Sequence, residues 1–468
     1  MKWGRLSQIK NRNTIAFLGI ILLFSIIKIS EICFRFSDGN IYFYMGKLIL
    51  QGQIPYQNFF FASPPIQILV IAGFLSLFGT KIILLKIIPI LACIISSVLI
   101  FTIIKKKFNP LWALISSTLY LFSFVVLTTT DYSTGIHLTT LFIVLSCYLI
   151  YKEKYFLSGI IASLSLLTRL YAAFAILGIM IFLLIKNRKA LLNFILGIII
   201  IFIPVNLLLI LLFKGNYLNS VFLYHLLKSE GIPKLAVLKF FLRWDFILIS
   251  LSALALIFKD KKKILLPLIA AGTILLFYIF YVDIYYLYFG LLIPFLAIIG
   301  GYSLYKLTKK IPQKFLFILI IFLLGIIIIH NSSFYIKNHS STAKIDFIYD
   351  ITKYVQENSR PEDKIYGDFE IAPLVALISK RGITNNYIDT NEKTFISGLY
   401  NIKERTDAIR GNTKFVLIKA LLDQEGKILR MNRIIEQDFL LEECNLTKTY
   451  SIKADYSDNA ILVFDCGN

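Results

Sequence analysis

The chain has 468 residues, of which 57% are hydrophobic and 16% charged, with a mean hydropathy of +0.74. Soluble domains carry ~25% charged residues, so composition excludes an ordinary soluble protein and implies a polytopic α-helical membrane protein. The net charge of +21 is not a nucleic-acid signature, because residues 1–330 hold 31 Lys and Arg against 8 Asp and Glu, whereas residues 331–468 hold 18 against 20. The excess lies between apolar runs, where basic loops set topology.

In chain order, residues 14–33 form the first apolar run, too long for a signal peptide and without an A-x-A cleavage site, and are read as a retained span. The polar, aromatic stretch "FRFSDGNIYFYMGKLILQGQIPYQNFFFASPPI" follows (residues 34–66). If residues 64–79 crossed the membrane, Lys105, Lys106 and Lys107 would lie opposite Lys2, Arg5, Lys10 and Arg12. If that segment stays in the interface or re-enters, the next span is 82–104 and its triple-Lys end is cytoplasmic. The remaining clusters then agree: Lys152 and Lys154; Lys186, Arg188 and Lys189; Lys259, Lys261, Lys262 and Lys263; Lys306, Lys309 and Lys310. Further spans are expected at 111–129, 133–151, 155–169, 171–185, 190–213, 245–258, 263–281, 284–305 and 314–330. About eleven spans, with juxtamembrane helices, place the N-terminus in the cytoplasm and the C-terminal region outside, in the plasma membrane. The short segments 155–169 and 171–185 read as a broken helix pair with Arg169 at its vertex.

The chain thus divides into a transmembrane domain, 1–330, and a small C-terminal α/β domain on the outer face, 331–468. In the latter, Ile345, Ile348, Ile351 and Val355 recur at helical spacing, "KFVLIK" reads as a strand, and "RPEDKIYGD" as a turn entering one. "TKTYSI" and "AILVFDC" flank a turn centred on Asp455, a hairpin in which paired numbers sum to ~910 and Cys444 faces Cys466. A disulfide is sterically allowed there in an oxidising compartment, two free thiols being the alternative. Sequons at Asn331, Asn338 and Asn445 would also lie outside.

Ionisable groups at the outer ends of spans are few: Asp38, Asp131, Arg169 and Asp283. Such groups are costly near a bilayer and usually face a cavity or a partner. Asp38 in "FSDGN" and Asp131 in "TTTDYSTG" also suit helix caps. Arg169 interrupts a long apolar stretch and either snorkels or binds an anion. Asp283 sits in an aromatic belt-like run. His137 lies within a span and reads as an interhelical hydrogen-bond partner, while His225 lies in a long outer loop. No Walker loop, zinc spacing, G-x-S-x-G or dinucleotide fingerprint is present.

The first span, the Asp-bearing outer loop, the run "YMGKLILQGQIPYQNFFFASPPIQILVIAGFLSLFG" and "LSGIIASLSLLTRLYAAFAILGIMIFLL" together resemble the GT-C membrane glycosyltransferases. Within that superfamily the style is that of the protein O-mannosyltransferase and aminoarabinose-transferase branch, also described as glycosyltransferase family 39. The resemblance is clearest over 31–185. It implies transfer of a sugar from a polyprenyl- or dolichyl-phosphate donor to a glycan, lipid or protein acceptor at the outer face, with inversion. It also implies Asp38 and Asp131 as catalytic acids, Arg169 at the lipid-linked phosphate, and Pro64 and Pro65 entering the juxtamembrane segment. Tyr56, His225 and Asp283 are carried as substrate-binding candidates.

Two positions depart from the pattern. Many relatives pair two acids in the first loop, whereas here Gly39 and Asn40 follow Asp38, so a divalent metal, which the resemblance admits, finds no two-carboxylate site in that loop. Where aminoarabinose transferases often have Lys before the prolines, this chain has Ser63. A transporter or flippase of lipid-linked saccharide is the alternative function, against which stand the absence of an inverted repeat and the large outer domain.

Overall fold

The computed structural model describes residues 2–79, 81–228, 231–308, 313–337, 345–423, 427–452 and 458–467. The helical part begins with α1 (Lys2–Ser30), α2 (Gly39–Leu50), α3 (Ile66–Phe78) and α4 (Ile87–Lys107). It continues with α5 (Pro110–Leu121), α6 (Phe124–Thr129), α7 (Ile136–Tyr151), α8 (Tyr155–Leu166), α9 (Ala172–Lys186) and α10 (Arg188–Leu218). Then come α11 (Tyr224–Leu227), α12 (Lys234–Trp244), α13 (Phe246–Leu254), α14 (Leu265–Phe280), α15 (Ile293–Thr308) and α16 (Gln313–Tyr335).

Local chemistry sets several of these boundaries. Asn109 accepts from Leu111 N (2.8 Å), and Pro110 takes the first helical position of α5, where its missing N–H costs nothing. Asn187 likewise caps α10 through Ala190 N (3.2 Å). At Asp245 the chain bends by 83° between α12 and α13, and both carboxylate oxygens accept from Phe124 N and Val125 N (2.9 Å each). That contact caps α6 and divides the expected span 111–129 in two. Helices α8 and α10 meet at Gly159 and Gly197, where an added Cβ would stand 2.0 Å from Phe194 O and 2.1 Å from Phe156 O. Only glycine lets the two backbones approach this closely.

Among the described residues, five helical segments are long and apolar enough to cross a membrane: Arg12–Ser30, Ile82–Lys107, Arg188–Leu227, Lys262–Phe280 and Ile318–Tyr335. The bent α12–α13 pair makes six if taken as one span. Fewer than eleven helices therefore meet the length on their own. A helix of 12 residues, such as α5 or α8, extends only ~18 Å, against a hydrocarbon core of ~30 Å.

The segment after the first span is decided by contacts at both ends of the bundle. Lys105 Nζ donates to Thr14 Oγ1 (2.8 Å), so the triple-Lys end of α4 lies beside the start of α1. At the opposite end, Lys28 pairs with the Asp131 carboxylate and Lys86 Nζ donates to Asp131 O (3.0 Å). The chain thus leaves α1 and enters α4 at one end, and the intervening α2–α3 segment does not traverse the bundle. Tyr302 donates to Asp260 O, and Lys306 lies 3.6 Å from the Asp260 carboxylate, which brings two more of the basic clusters together.

The C-terminal part holds α17 (Ile348–Glu357), α18 (Ala372–Ser379), α19 (Glu392–Ile396), α20 (Ile402–Ile409) and α21 (Gln437–Glu443) around a six-stranded sheet. Its strands are β1 (Lys364–Gly367), β2 (Gly382–Ile383), β3 (Phe415–Leu422), β4 (Ile428–Met431), β5 (Asn445–Ile452) and β6 (Asp458–Asp465). The order is β2-β1-β3-β6-β5, parallel across β2-β1-β3 and antiparallel beyond, with β4 antiparallel to the end of β3. Ile348, Ile351 and Val355 of α17 are buried as their spacing predicts, and so is the apolar run Phe415–Ile418 of β3.

In the terminal hairpin Asn445 pairs with Asp465 and Leu446 with Phe464, and the register then shifts so that Lys448 faces Val463. The unshifted pairs next to the cysteines bring Cys444 and Cys466 into a disulfide with Cα atoms 4.3 Å apart. Asn331 is a sequon in composition only: it is buried, and its Nδ2 donates to Phe122 O (2.6 Å). Asn338 lies outside the described residues.

One apolar core joins the two parts. Ile41 and Phe43 of α2 and Ile68 and Ile71 of α3 pack in the same cluster as Ile351, Val375, Leu417 and Val463. Polar ties reinforce it, since Asn40 Nδ2 donates to Glu370 O (2.6 Å) and Ile383 N to Tyr44 Oη (3.0 Å). The sheet domain therefore sits directly over the loop that carries Asp38.

Candidate active site

Asp38 stands at the N-terminal end of α2, but its side chain does not cap that helix. The carboxylate is half-buried and makes no hydrogen bond or ion pair among the described residues. Burial pushes its pKa up and Glu370 adds to the shift, while Arg169, Lys228 and Lys393 oppose it. An unpaired carboxylate among three cations suits a group that exchanges a proton.

Arg169 is at the vertex between α8 and α9, where the sequence placed it. Its guanidinium donates to Thr134 O (2.9 Å from Nε), Gln67 Oε1 (2.8 Å), Tyr42 Oη (3.0 Å) and Ser63 Oγ. All four partners are neutral, and no carboxylate pairs with it among the described residues. Ser63, at the departure before the prolines, thus serves to orient the cation. The turn from Asp131 to Gly135 supplies Thr134 O and also Ser133 O, which accepts from Gln67 Nε2 (2.7 Å). Gly135 adopts φ +82°, and a Cβ there would stand 2.6 Å from Gln67 Oε1, so the turn needs glycine for both conformation and space.

Asp131 is differently placed. Its carboxylate pairs with Lys28, lies 3.4 Å from Arg35 Nε, and accepts from Tyr335 Oη at 2.9 and 3.0 Å. Lys28 also donates to Leu127 O (2.6 Å), and all these side chains are buried. The result is a closed ion-pair hub joining α1, the first loop, the start of α4 and the end of α16.

The other candidates take mostly anchoring contacts. Tyr56, at φ +67°, is buried against Tyr217 and donates to Ser63 O (2.7 Å). His225 Nε2 donates to Ala62 O (2.7 Å), leaving Nδ1 to accept from Tyr281 Oη (3.5 Å). Asp283 pairs with Lys393 at 2.5 Å and Lys228 at 3.8 Å, which ties the α14–α15 connection to the sheet domain. His137 is buried between Cys93 Sγ (3.0 Å) and Thr129 Oγ1 (2.8 Å), an interhelical hydrogen-bond partner.

Lys228, Lys393, Glu370 and Asp389 belong to the surroundings of Asp38 and were not singled out in the sequence. Burial and the nearby Asp38 raise the Asp389 pKa to about 6, and burial lowers that of Lys228. These residues sit in polar segments where nothing local distinguishes them. Lys28 and Lys86, by contrast, left a readable signal as cations inside apolar runs. Among the described residues no three His, Cys, Asp or Glu side chains come together as a metal-ligand set.

Comparison with known proteins follows the same lines. Residues 62–210 match the family model described as dolichyl-phosphate-mannose-protein mannosyltransferase. Among solved structures, ArnT from Cupriavidus metallidurans bound to undecaprenyl phosphate superposes with a TM-score of 0.67 at 12% identity, covering 96% of this chain and 97% of that one. The same protein in the apo state gives 0.65 at 13% identity, with the same coverage. The Archaeoglobus fulgidus oligosaccharyltransferase tethered with an acceptor peptide gives 0.52 at 10% identity, covering 90% of this chain and 75% of that one. No curated protein sequence matches. The chain has the GT-C fold, with apolar helices that make it an integral membrane protein.

Proposed function

We propose that this GT-C-fold membrane protein is a glycosyltransferase that moves a sugar from a polyprenyl- or dolichyl-phosphate donor to an acceptor hydroxyl at the outer face, with inversion. The observation that carries the reading is the pairing of two incomplete groups. Among the described residues Asp38 is a carboxylate without a hydrogen-bond or ion-pair partner, and Arg169 is a guanidinium held by neutral groups alone. The two substrates supply what each lacks: the donor's phosphate is an anion for the cation, and the acceptor's hydroxyl carries a proton for the base.

In the proposed step the acceptor oxygen attacks the anomeric carbon as Asp38 takes its proton, and the bond from that carbon to the phosphate oxygen breaks. The phosphate leaves with the bonding electron pair, and Arg169 stabilises the charge it gathers. Asp131 acts by position: anchored by Lys28, Arg35 and Tyr335, it fixes the turn whose Thr134 O holds Arg169. Lys393 on Asp283 ties the sheet domain to the helical part near Asp38, and Lys228 shares the same carboxylate. The orientation with N-terminus and basic loops in the cytoplasm and residues 331–468 outside is part of this reading, supported by the 19 basic residues that one topology gathers on one side.

The test is transfer of radiolabelled sugar from synthetic polyprenyl-phosphate donors by the purified chain. Transfer by the native protein and its loss in Asp38→Asn are expected. Absence of transfer with a full set of donors, together with donor movement across vesicles, would favour the flippase instead.

A further inference from the structure

A recess lies away from Asp38, where the sheet domain meets the helical bundle. It is a cavity of about 330 Å³ whose floor is apolar, formed by Ile82, Ile83 and Leu84 before α4 and by Leu377 and Ile378 of α18. Its charged lining consists of Lys81 and Lys380, with no acidic residue among the lining groups. Both lysines are exposed, and neither makes an ion pair or a side-chain hydrogen bond among the described residues. Their neighbours are engaged: Lys86 bonds Asp131 O, and Arg381 is turned inward onto Ser359 and Ser379. Lys380 also takes φ +59° at the end of α18, a conformation that favours glycine, while Gly382 two residues on does not need it.

Position along the bundle indicates the occupant. Lys81 immediately precedes the membrane-length segment Ile82–Lys107, and Leu77 and Phe78 at the end of α3 are exposed. The recess thus adjoins the start of a membrane-length segment and holds both lysines and apolar Ile and Leu side chains in its lining. Lysine at a bilayer edge extends its ammonium to the headgroup level, and an anionic lipid surface attracts each such charge by ~1 kcal/mol. Apolar floor, paired cations and boundary position together match one chemistry, a phosphate diester with acyl chains.

We infer that this recess binds an anionic phospholipid of the leaflet on the sheet-domain side, with its phosphate between Lys81 and Lys380 and acyl chain on Ile82–Leu84. The site joins α17–α18 to the start of α4, so an occupied recess would brace the sheet domain over the bundle. The inference is independent of the role assigned to Asp38.

The test uses the full chain in nanodiscs of phosphatidylcholine doped with spin-labelled phosphatidylglycerol, where protein-bound lipid gives an immobilised signal. A saturable site preferring phosphatidylglycerol to phosphatidylcholine is expected, weakened about tenfold or more in Lys81→Glu/Lys380→Glu, as two charge reversals require. Ile378→Trp keeps the charges and fills the recess, and should abolish the site with an unchanged thermal midpoint. Lys353→Glu, at an exposed position of α17 where the lysine pairs with Glu357, should change nothing. Equal binding in the double variant and native protein, equal retention of phosphatidylcholine, or full displacement by millimolar inorganic phosphate would each overturn the proposal.

Discussion

Asp38 and Asp131 are both acids at the sheet-domain end of the bundle, and their surroundings are opposite. Asp131 has its oxygens taken by Lys28, Arg35 and Tyr335, while Asp38, with Arg169, Lys228 and Lys393 in its field, is bonded to none of them. A buried ion pair whose hydrogen bonds are complete holds elements together, and removing one member leaves an uncompensated charge. A half-buried carboxylate without such partners contributes little to folding and is free to exchange a proton. Charge near a membrane boundary does not by itself separate the two acids; among the described residues, the presence or absence of a partner does.

The largest effect that would break this contrast is on turnover. Asp38→Asn should lower kcat by about 10²–10⁴-fold, the usual worth of a general base, with no change in the thermal midpoint in detergent. Asp131→Ala should do the reverse in kind, costing roughly 3–5 kcal/mol of stability, read as poor monodisperse yield and a lowered midpoint. If Asp131→Ala folds normally and only activity falls, the hub is catalytic after all. Arg169→Gln should reduce kcat by about 10²–10³-fold while leaving fold and donor extraction intact, and Arg169→Lys should recover only part of that loss.

The smallest effect concerns pH. The Asp38 carboxyl is raised by burial and by Glu370, and a base must be ionised to act. Activity should therefore fall on acidification through a pKa above the ordinary carboxylate value, measured as the acid limb of kcat/KM. Asp389, raised to about 6 in part by Asp38, is coupled to that limb. Asp389→Asn removes a neighbouring negative charge, so the limb should move to lower pH. An unmoved limb would separate Asp389 from the site.

Much of the fold was legible in the chain because its signals are local. Apolar runs and lysine clusters imply a membrane bundle, helical spacing marks α17, and the hairpin numbers bring Cys444 to Cys466. The non-crossing character of α3 could be argued from charge alone, since a crossing there would strand Lys105, Lys106 and Lys107 on the wrong side. Arg169 was recognisable for a related reason, as a cation with no local partner in an apolar stretch.

Span lengths were less legible, because hydropathy does not register the break that Asp245 makes between α5 and α6 by capping from more than a hundred residues away. The division of labour between Asp38 and Asp131 was not legible either. Asp38 read evenly as cap or catalyst and Asp131 more as a cap, and the cations that set their surroundings apart arrive from α1, the first loop, the region after α11 and α19.

By itself the sequence determined the membrane class, the location of basic loops at one end, the sheet region at the C-terminus, and a short list of ionisable residues. Those follow from composition and from spacing along the chain, which are properties of neighbours in sequence. Only the tertiary structure decided which acid is neutralised and which is left open, how Ser63 and Gln67 orient Arg169, and that the sheet domain closes over Asp38. Ion pairing and desolvation depend on distances between groups far apart in the chain, and packing alone sets those distances.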